Sequence, residues 1–192
     1  MERRDARACR RFHATDKLRA LVAKLSEPVR SLSGEFKRPR PVDLIPIING
    51  VLARTIDSSE SEHHIEIDLP ISLVAVADDE RIEKVVENLV LNAVEAMGTK
   101  NGSLTIKAGP AGDGFVFFSV SDTGPGMSEE FQRTKLFRPF STTKSKGVGL
   151  GLYTSRELVR ALGGRIDVES KQGSGTTFTV VLPSGQIKKS GG

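Results

Sequence analysis

Two asparagines inside an apolar-periodic stretch are the first residues that could do chemistry. Asn88 and Asn92, with Lys84 and Glu95, form a polar stripe at steps of 4, 4 and 3. Asparagine is a poor helix-interior residue, because its side chain competes for backbone hydrogen bonds. Two stacked carboxamides nonetheless offer carbonyl oxygens to a hard cation and NH2 groups to phosphate oxygens. An exposed polar face would explain the same stripe. Next comes Asp122-Thr-Gly-Pro-Gly-Met127. A carboxylate at a strand end, followed by glycines, can accept a hydrogen bond from a ligand that the backbone approaches closely. An adenine N6 amine is the complementary donor, whereas guanine would present its O6 acceptor and be repelled. The same residues also make a good turn.

Gly147-Val-Gly-Leu-Gly-Leu152 opens an expected helix. Its closely spaced glycines could present N–H groups to a phosphate chain, with the helix dipole favouring the anion. It is neither a Walker-type loop nor a GxGxxG, since its sixth residue is Leu152. Between the glycine clusters lies FRPFSTTKSKG. There Phe137 and Phe140 could anchor a loop, while Thr142, Thr143, Lys144 and Lys146 could fold over phosphates as a lid. Gly173-Ser-Gly-Thr-Thr-Phe178 reads as a turn into a strand.

The elements that must position these residues follow from periodicity. Asp43 can cap a short helix to about Arg54, and Asp79 opens the longest one, to Met97. Ile82, Val85, Val86, Leu89, Ala93 and Val94 give that helix its apolar face. Strands are expected at His64–Asp68, Leu73–Ala77, Ser103–Ala108, Gly114–Ser121, Arg165–Ser170 and Thr176–Leu182. Shorter helices are expected near Ser128–Lys135 and over about 150–162, the second ending at Gly163-Gly164. The order lacks regular βαβ alternation and favours an α+β sheet covered on one face by helices. Upstream, Leu18, Val22, Leu25, Val29 and Leu32 are spaced as an a/d seam interrupted by Pro28. Lys37–Pro41 reads as a stiff connector, and the tail from Ser184 as polar and loose.

Composition excludes several classes. The chain has 192 residues, one cysteine and a net charge of +4, which fits one soluble domain with an appendage and leaves no disulfide framework. Residues 1–40 carry 12 basic against 5 acidic side chains, a net of +7, and residues 41–192 carry 16 against 19, a net of −3. The basic character belongs to the leading arm, so charge alone gives no reason to expect a nucleic-acid partner. No apolar run approaches a membrane span, and MERRDARACRRF has no secretory core.

Taken together, the order of Asn-xxx-Asn-Ala, Asp-x-Gly-x-Gly-Met, Phe-x-Pro-Phe, Gly-x-Gly-Leu-Gly-Leu and Gly-x-Gly-Thr-x-Phe over about 90 residues strongly resembles the N, G1, F, G2 and G3 boxes of the sensor histidine kinase catalytic domain. That domain belongs to the wider ATPase superfamily shared with gyrase, Hsp90 and MutL. The LFRPFSTTK stretch is most similar to kinases of the nitrogen-regulation or PrsK type. The resemblance implies a two-layer α/β sandwich, the Bergerat ATP-binding fold, over residues 42–184. Residues 1–36 would be the C-terminal part of a dimerisation and phosphotransfer hairpin, and 185–192 a flexible tail.

By the family's pattern, Asn88 would ligate Mg2+ and Asn92 would lie beside the phosphates and metal. Asp122 would take the adenine amine, with Gly124 and Gly126 admitting the base. Thr143 and Lys144 would contact phosphates, and Lys144 shares the catalytic role with Asn88. Gly147, Gly149, Gly151 and Leu152 would cradle the phosphates, and Thr176 would help hold the adenine. The ATP-hydrolysing relatives carry a general-base Glu where this chain has Asn88. An amide cannot deprotonate water, which favours phosphoryl transfer to a protein. Glu87 lies about 100° around the helix and does not replace the base. Glu95 stands where some of these kinases carry a basic residue, which removes the ground for a basic contact to ATP there.

The family's phosphoacceptor is a His followed by an acidic residue, and this sequence contains no such pair. His13, His63 and His64 read as surface residues. The expectation is a cytoplasmic fragment of a histidine kinase, homodimeric in the full-length protein and passing its phosphoryl group to a response regulator. No membrane contact is expected from the fragment itself. The alternatives are an ATP-hydrolysing conformational machine and a degenerate ATP-binding or dimerisation module.

Overall fold

The computed structural model describes residues 38–56, 63–98, 101–142 and 148–185. The heptad seam of residues 18–32, the stalk of 1–36, and Thr143, Lys144, Lys146 and Gly147 lie outside the described residues, as does the tail from 186.

The chain runs β1 (Arg40–Asp43), α1 (Leu44–Ile56), β2 (His64–Asp68), β3 (Val74–Ala77), α2 (Asp79–Met97), β4 (Ser103–Gly112) and β5 (Phe115–Asp122). It continues through α3 (Glu129–Thr134), α4 (Gly151–Ala161), β6 (Arg165–Lys171) and β7 (Gly175–Pro183). Five strands form one sheet in the order β2-β4-β5-β7-β6, and β1 pairs with β3 in a separate ribbon. Only β2 runs parallel to its neighbour; the β4, β5, β7 and β6 pairings are antiparallel. The expected α+β sandwich is observed.

Its core forms where helix stripes meet one face of the sheet. From α1 come Leu44, Ile48, Val51 and Leu52, and from α2 Ile82, Val85, Val86, Leu89, Val90 and Ala93. They pack with alternate residues of the strands, among them Leu104, Ile106, Val116, Phe118, Val120, Phe178, Val180 and Leu182. The period is 3.6 on the helices and 2 on the strands, as burial of one face demands. Val94, expected on the apolar face of α2, is only partly buried, and the face extends instead to Val90 and Met97.

Local chemistry sets the element ends. The α2 cap is Asp78, one residue before the expected start, and its side chain accepts the Arg81 N–H. Asp78 and Arg81 are also a buried ion pair at 3.6 Å. Asp43 Oδ1 accepts the N–H groups of Ile45 (3.1 Å) and Leu73 (3.0 Å), joining the start of α1 to the approach to β3.

Two expectations need correction. Arg40 and Pro41 are not connector: they belong to β1, paired with Ala77 and Val76. Proline is tolerated there because the strand is paired on one edge only. Ser184 and Gly185 are not loose either. Ser184 bridges Ala75, and the Gly185 N–H donates to Val74 O at 2.9 Å.

Candidate nucleotide site

The site is assembled along α2. Asn88, Asn92 and Ala96 lie at steps of four, so they share one face of that helix. At one end Asn88 meets α4: its Nδ2 donates to Ser155 Oγ at 2.9 Å. A methyl group on Gly151 would run into Asn88 Oδ1, so the first turn of α4 is pressed against this carboxamide. One N–H of its NH2 goes to Ser155, which fixes the rotation of the carboxamide. Asn92, half-buried, has its own polar interaction within the fold.

The N-terminus of α4 is capped by Leu150, which supplies no side-chain hydrogen bond. Its first N–H groups therefore lack the usual Ser, Thr or Asp acceptor and carry the positive end of the helix dipole. Gly149, at φ +74°, backs onto the main chain of Phe140 and Ser141, with the space for a Cβ filled at 2.7 Å. Gly149 and Gly151 thus allow chain-on-chain and chain-on-Asn88 contact. Leu152 follows in the first turn, half-buried against the core.

At the other end Ala96 meets the loop after β5. Gly124 lies against Ala96, 3.2 Å from where its Cβ would sit. Asp122, only 7% exposed, ends β5 and accepts the Gly124 N–H at 2.8 Å. Gly126 has φ +63°, and a Cβ there would collide with the Lys171 carbonyl. The loop is also tied to the β6–β7 turn, where Gly173 N donates to Pro125 O at 2.7 Å.

The sheet register puts Thr176 directly beside Asp122 on β5 and beside Ser170 on β6. Thr176 is 8% exposed. The Ser170 hydroxyl lies 2.9 Å from the Thr176 hydroxyl and accepts the Met127 N–H at 2.9 Å. Gln132 Nε2 donates to the carbonyls of Met127 (3.0 Å) and Ser170 (2.9 Å), fastening α3 to the same corner.

Of the two expected anchors in the FRPF stretch, only Phe137 packs. It meets Phe178 edge-on at 6.4 Å and carries the Arg156 guanidinium over its ring at 5.3 Å. Phe140 is 68% exposed. Both have positive φ, +61° and +62°, so the backbone turns sharply at each, and only the Phe137 ring packs against the core.

Sequence reasoning missed Ser155, Ser170 and Gln132. Ser170 was readable, since it follows Ile166 and Val168 at a period of two on the inward face of β6. Ser155 is a small polar residue within the inward stripe of α4, beside Thr154, Leu158 and Val159. Gln132 carries no such signal.

Among the described residues no group of three or more His, Cys, Asp or Glu side chains could hold a metal ion by itself. The donors present are the carboxamide oxygens of α2, which suit a hard cation sharing its coordination with phosphate and water.

A family model described as histidine kinase-, DNA gyrase B-, and HSP90-like ATPase matches residues 77–186. The chain is 37% identical over 177 residues to the sensor histidine kinase ZraS of Klebsiella oxytoca, covering 90% of this chain and 37% of that protein. It is 36% identical over 173 residues to the C4-dicarboxylate transport sensor protein DctB of Rhizobium meliloti, covering 84% of this chain and 27% of that one. The chain therefore spans roughly a third of the length of these curated relatives. Among solved structures, the catalytic domain of histidine kinase ThkA superposes with a TM-score of 0.69 at 31% identity, covering 77% of this chain and 97% of that one.

Proposed function

The chain belongs to the histidine kinase-, DNA gyrase B- and HSP90-like ATPase family, and from that premise we propose that it is the ATP-binding catalytic part of a sensor histidine kinase. One observation carries the reading of the site. Asn88 and Ala96 are eight residues apart on one face of α2, about 12 Å of helix rise. Asn88 is faced by the uncapped start of α4, and Ala96 by the Asp122–Gly124 corner. A ligand lying along this face would meet anion-binding groups at one end and a buried, acceptor-only carboxylate at the other. ATP has that polarity.

In this reading Asp122 accepts from the adenine N6 amine, with Gly124 and Gly126 admitting the base and Thr176 beside it. Gly147, Gly149, Gly151 and Leu152 cradle the phosphates, and Thr143 and Lys144 supply lid contacts to them. Asn88 would hold Mg2+, which when bound neutralises charge on the phosphates, and Asn92 would lie beside both. Asn88 and Lys144 are assigned the catalytic work of holding the γ-phosphoryl group for transfer.

The acceptor is a histidine on a dimerisation hairpin, with residues 1–36 assigned to that hairpin, and a response regulator receives the group afterwards. A homodimer follows from such a hairpin. The proposed setting is the cytoplasm, including the cytoplasmic side of a membrane-bound sensor; no helix among the described residues is long and apolar enough to cross a membrane. Assignment to the nitrogen-regulation or PrsK type rests on LFRPFSTTK alone.

The test follows the γ-phosphoryl of labelled Mg-ATP. Transfer to a histidine of a supplied hairpin, without sustained phosphate release by the chain alone, is the expected result. Sustained release abolished by an Asn88 substitution would instead establish a hydrolysing machine.

A further inference from the structure

Asparagine followed by glycine occurs twice in the chain, at Asn49-Gly50 and Asn101-Gly102, and the fold treats the two pairs differently. In an unconstrained Asn-Gly pair the glycine, lacking a Cβ, lets its backbone nitrogen swing onto the asparagine carboxamide carbon. Both asparagines are exposed, so solvent reaches each carboxamide. Asn49 and Gly50 lie in the middle of α1. There the Gly50 N–H is committed to the carbonyl four residues back, and helical ψ at Asn49 holds that nitrogen along the helix axis, away from the carboxamide.

Asn101 and Gly102 lie between α2 and β4, outside any helix or strand. Among the described residues the Gly102 N–H has no acceptor and the Asn101 side chain no hydrogen bond. Packing favours glycine at this point: a Cβ on Gly102 would lie 2.5 Å from Met97 Sδ and 3.2 Å from Met97 Cβ, and Met97 is buried in the core. The same glycine leads directly into β4. Its carbonyl accepts the His64 N–H at 2.9 Å. The next residue, Ser103, donates its N–H to Thr123 Oγ1 at 2.9 Å and accepts the Thr123 N–H at 3.2 Å. Thr123 stands between Asp122 and Gly124 in the loop that lines the site.

We propose that Asn101 is a site of spontaneous deamidation, and that its isoaspartyl product loosens the Asp122–Gly124 corner. Hydroxide from solvent removes the Gly102 amide proton, and the nitrogen attacks Asn101 Cγ. The bond from Gly102 N to Cγ forms as the Cγ–Nδ2 bond breaks, and ammonia leaves with a proton returned by water. Water then opens the cyclic imide. Attack at Cγ gives an aspartate in the original chain. Attack at the main-chain carbonyl gives an isoaspartate, in which the chain runs through Cβ and Cγ and gains one carbon. That extra atom stands directly before the three hydrogen bonds that fix Gly102 and Ser103, so the displacement passes to Thr123 and the corner on either side of it. The effect on the site rests on the nucleotide reading above; the covalent step does not.

The experiment is peptide mapping of the full chain after incubation at mildly alkaline pH, beside a sample kept mildly acidic. The peptide containing Asn101 is expected to gain the mass of an amide-to-acid exchange and to contain isoaspartate, while the peptide containing Asn49 stays unchanged. In urea both should convert, because the helix that protects Asn49 is gone. Asn101→Gln, whose longer side chain cannot close the five-membered imide, should suppress the modification. The deamidated fraction, separated by its added negative charge, is then titrated with ATP beside fresh wild type and Asn101→Asp. Asn101→Asp carries the charge without the extra chain atom and should bind as fresh wild type does. The deamidated fraction should bind about fivefold more weakly, the worth of one ordinary hydrogen bond.

No exchange at Asn101, or equal exchange at Asn49 in the folded chain, overturns the deamidation site. Wild-type affinity in the deamidated fraction, or an equal loss in Asn101→Asp, overturns its coupling to the corner. Failure of the fresh chain to bind ATP is a different result: it overturns the nucleotide reading and the coupling with it, while the peptide map still decides the modification.

Discussion

At the scale of single residues the site is a set of close approaches that larger or differently charged side chains would close. Gly126 pairs a left-handed backbone with the Lys171 carbonyl where a Cβ would go. Gly126→Ala should therefore cost more than the ~1 kcal/mol usual for such an exchange at positive φ, measured as a lowered urea midpoint with unchanged slope. Asn88 bonds Ser155 through its amide and, in the proposed reading, would also hold Mg2+. Ser155→Ala leaves its NH2 without the 2.9 Å partner, so the carboxamide can rotate. The expected consequence is about a tenfold loss in Mg-ATP affinity by calorimetry, with the fold retained by circular dichroism. Unchanged affinity would show that Ser155 does not orient Asn88.

At the scale of elements, the excursion after α3 is organised by one aromatic side chain. Phe137 is packed by Phe178 and Arg156, while Phe140 faces solvent. Phe137→Ala should destabilise the fold by about 2 kcal/mol, less than for a fully buried ring. Phe140→Ala should leave stability unchanged, both read from chemical denaturation. Equal effects would contradict the packing described.

The same stretch shows what was legible in the sequence. Long elements with a clean period, α2 above all, could be read nearly to the residue. The resemblance to the family's boxes singled out Asp122, Gly124 and Thr176, and the fold brings these three to one corner. The β1 strand was not legible, because four residues containing a proline have no period of their own and acquire strand geometry only by pairing with β3. The Ser170–Thr176–Asp122 row depends on the registers of two strand pairs, which no local pattern specifies. Phe137 and Phe140 look equivalent in sequence, and the backbone turn between them decides which is buried.

At the scale of the whole molecule, the ribbon and the helical layer are joined by carboxylates whose charge the fold favours. Burial alone would raise the Asp43 pKa, but hydrogen bonds from the Leu73 and Ile45 N–H groups and the Ser72 side chain outweigh it, and the carboxyl titrates below its ordinary value. Asp79, also held low, pairs with Arg40 at 2.9 Å in the open, where such pairs contribute little. A carboxyl lowered in the folded state binds fewer protons there than in the unfolded chain. Its stabilisation is therefore complete above the ordinary carboxylate pKa and is lost as pH falls through the lowered folded value. Urea unfolding from about pH 6 to about pH 3 should show wild type losing stability faster than Asp43→Asn below that ordinary value. Parallel curves would contradict the assignment.

In the proposed reading, one face of α2 holds a nucleotide whose base is read at Asp122. Calorimetric titration with ATP and GTP, for the wild-type chain and for Asp122→Asn, tests it most directly. Asn keeps an oxygen to accept the Gly124 N–H, so the variant should fold with a melting temperature close to wild type. Loss of a charged acceptor should weaken ATP binding roughly 10- to 100-fold, and the preference for ATP over GTP should collapse. An Asp122→Asn chain that binds ATP as tightly and as selectively as wild type would contradict the claim.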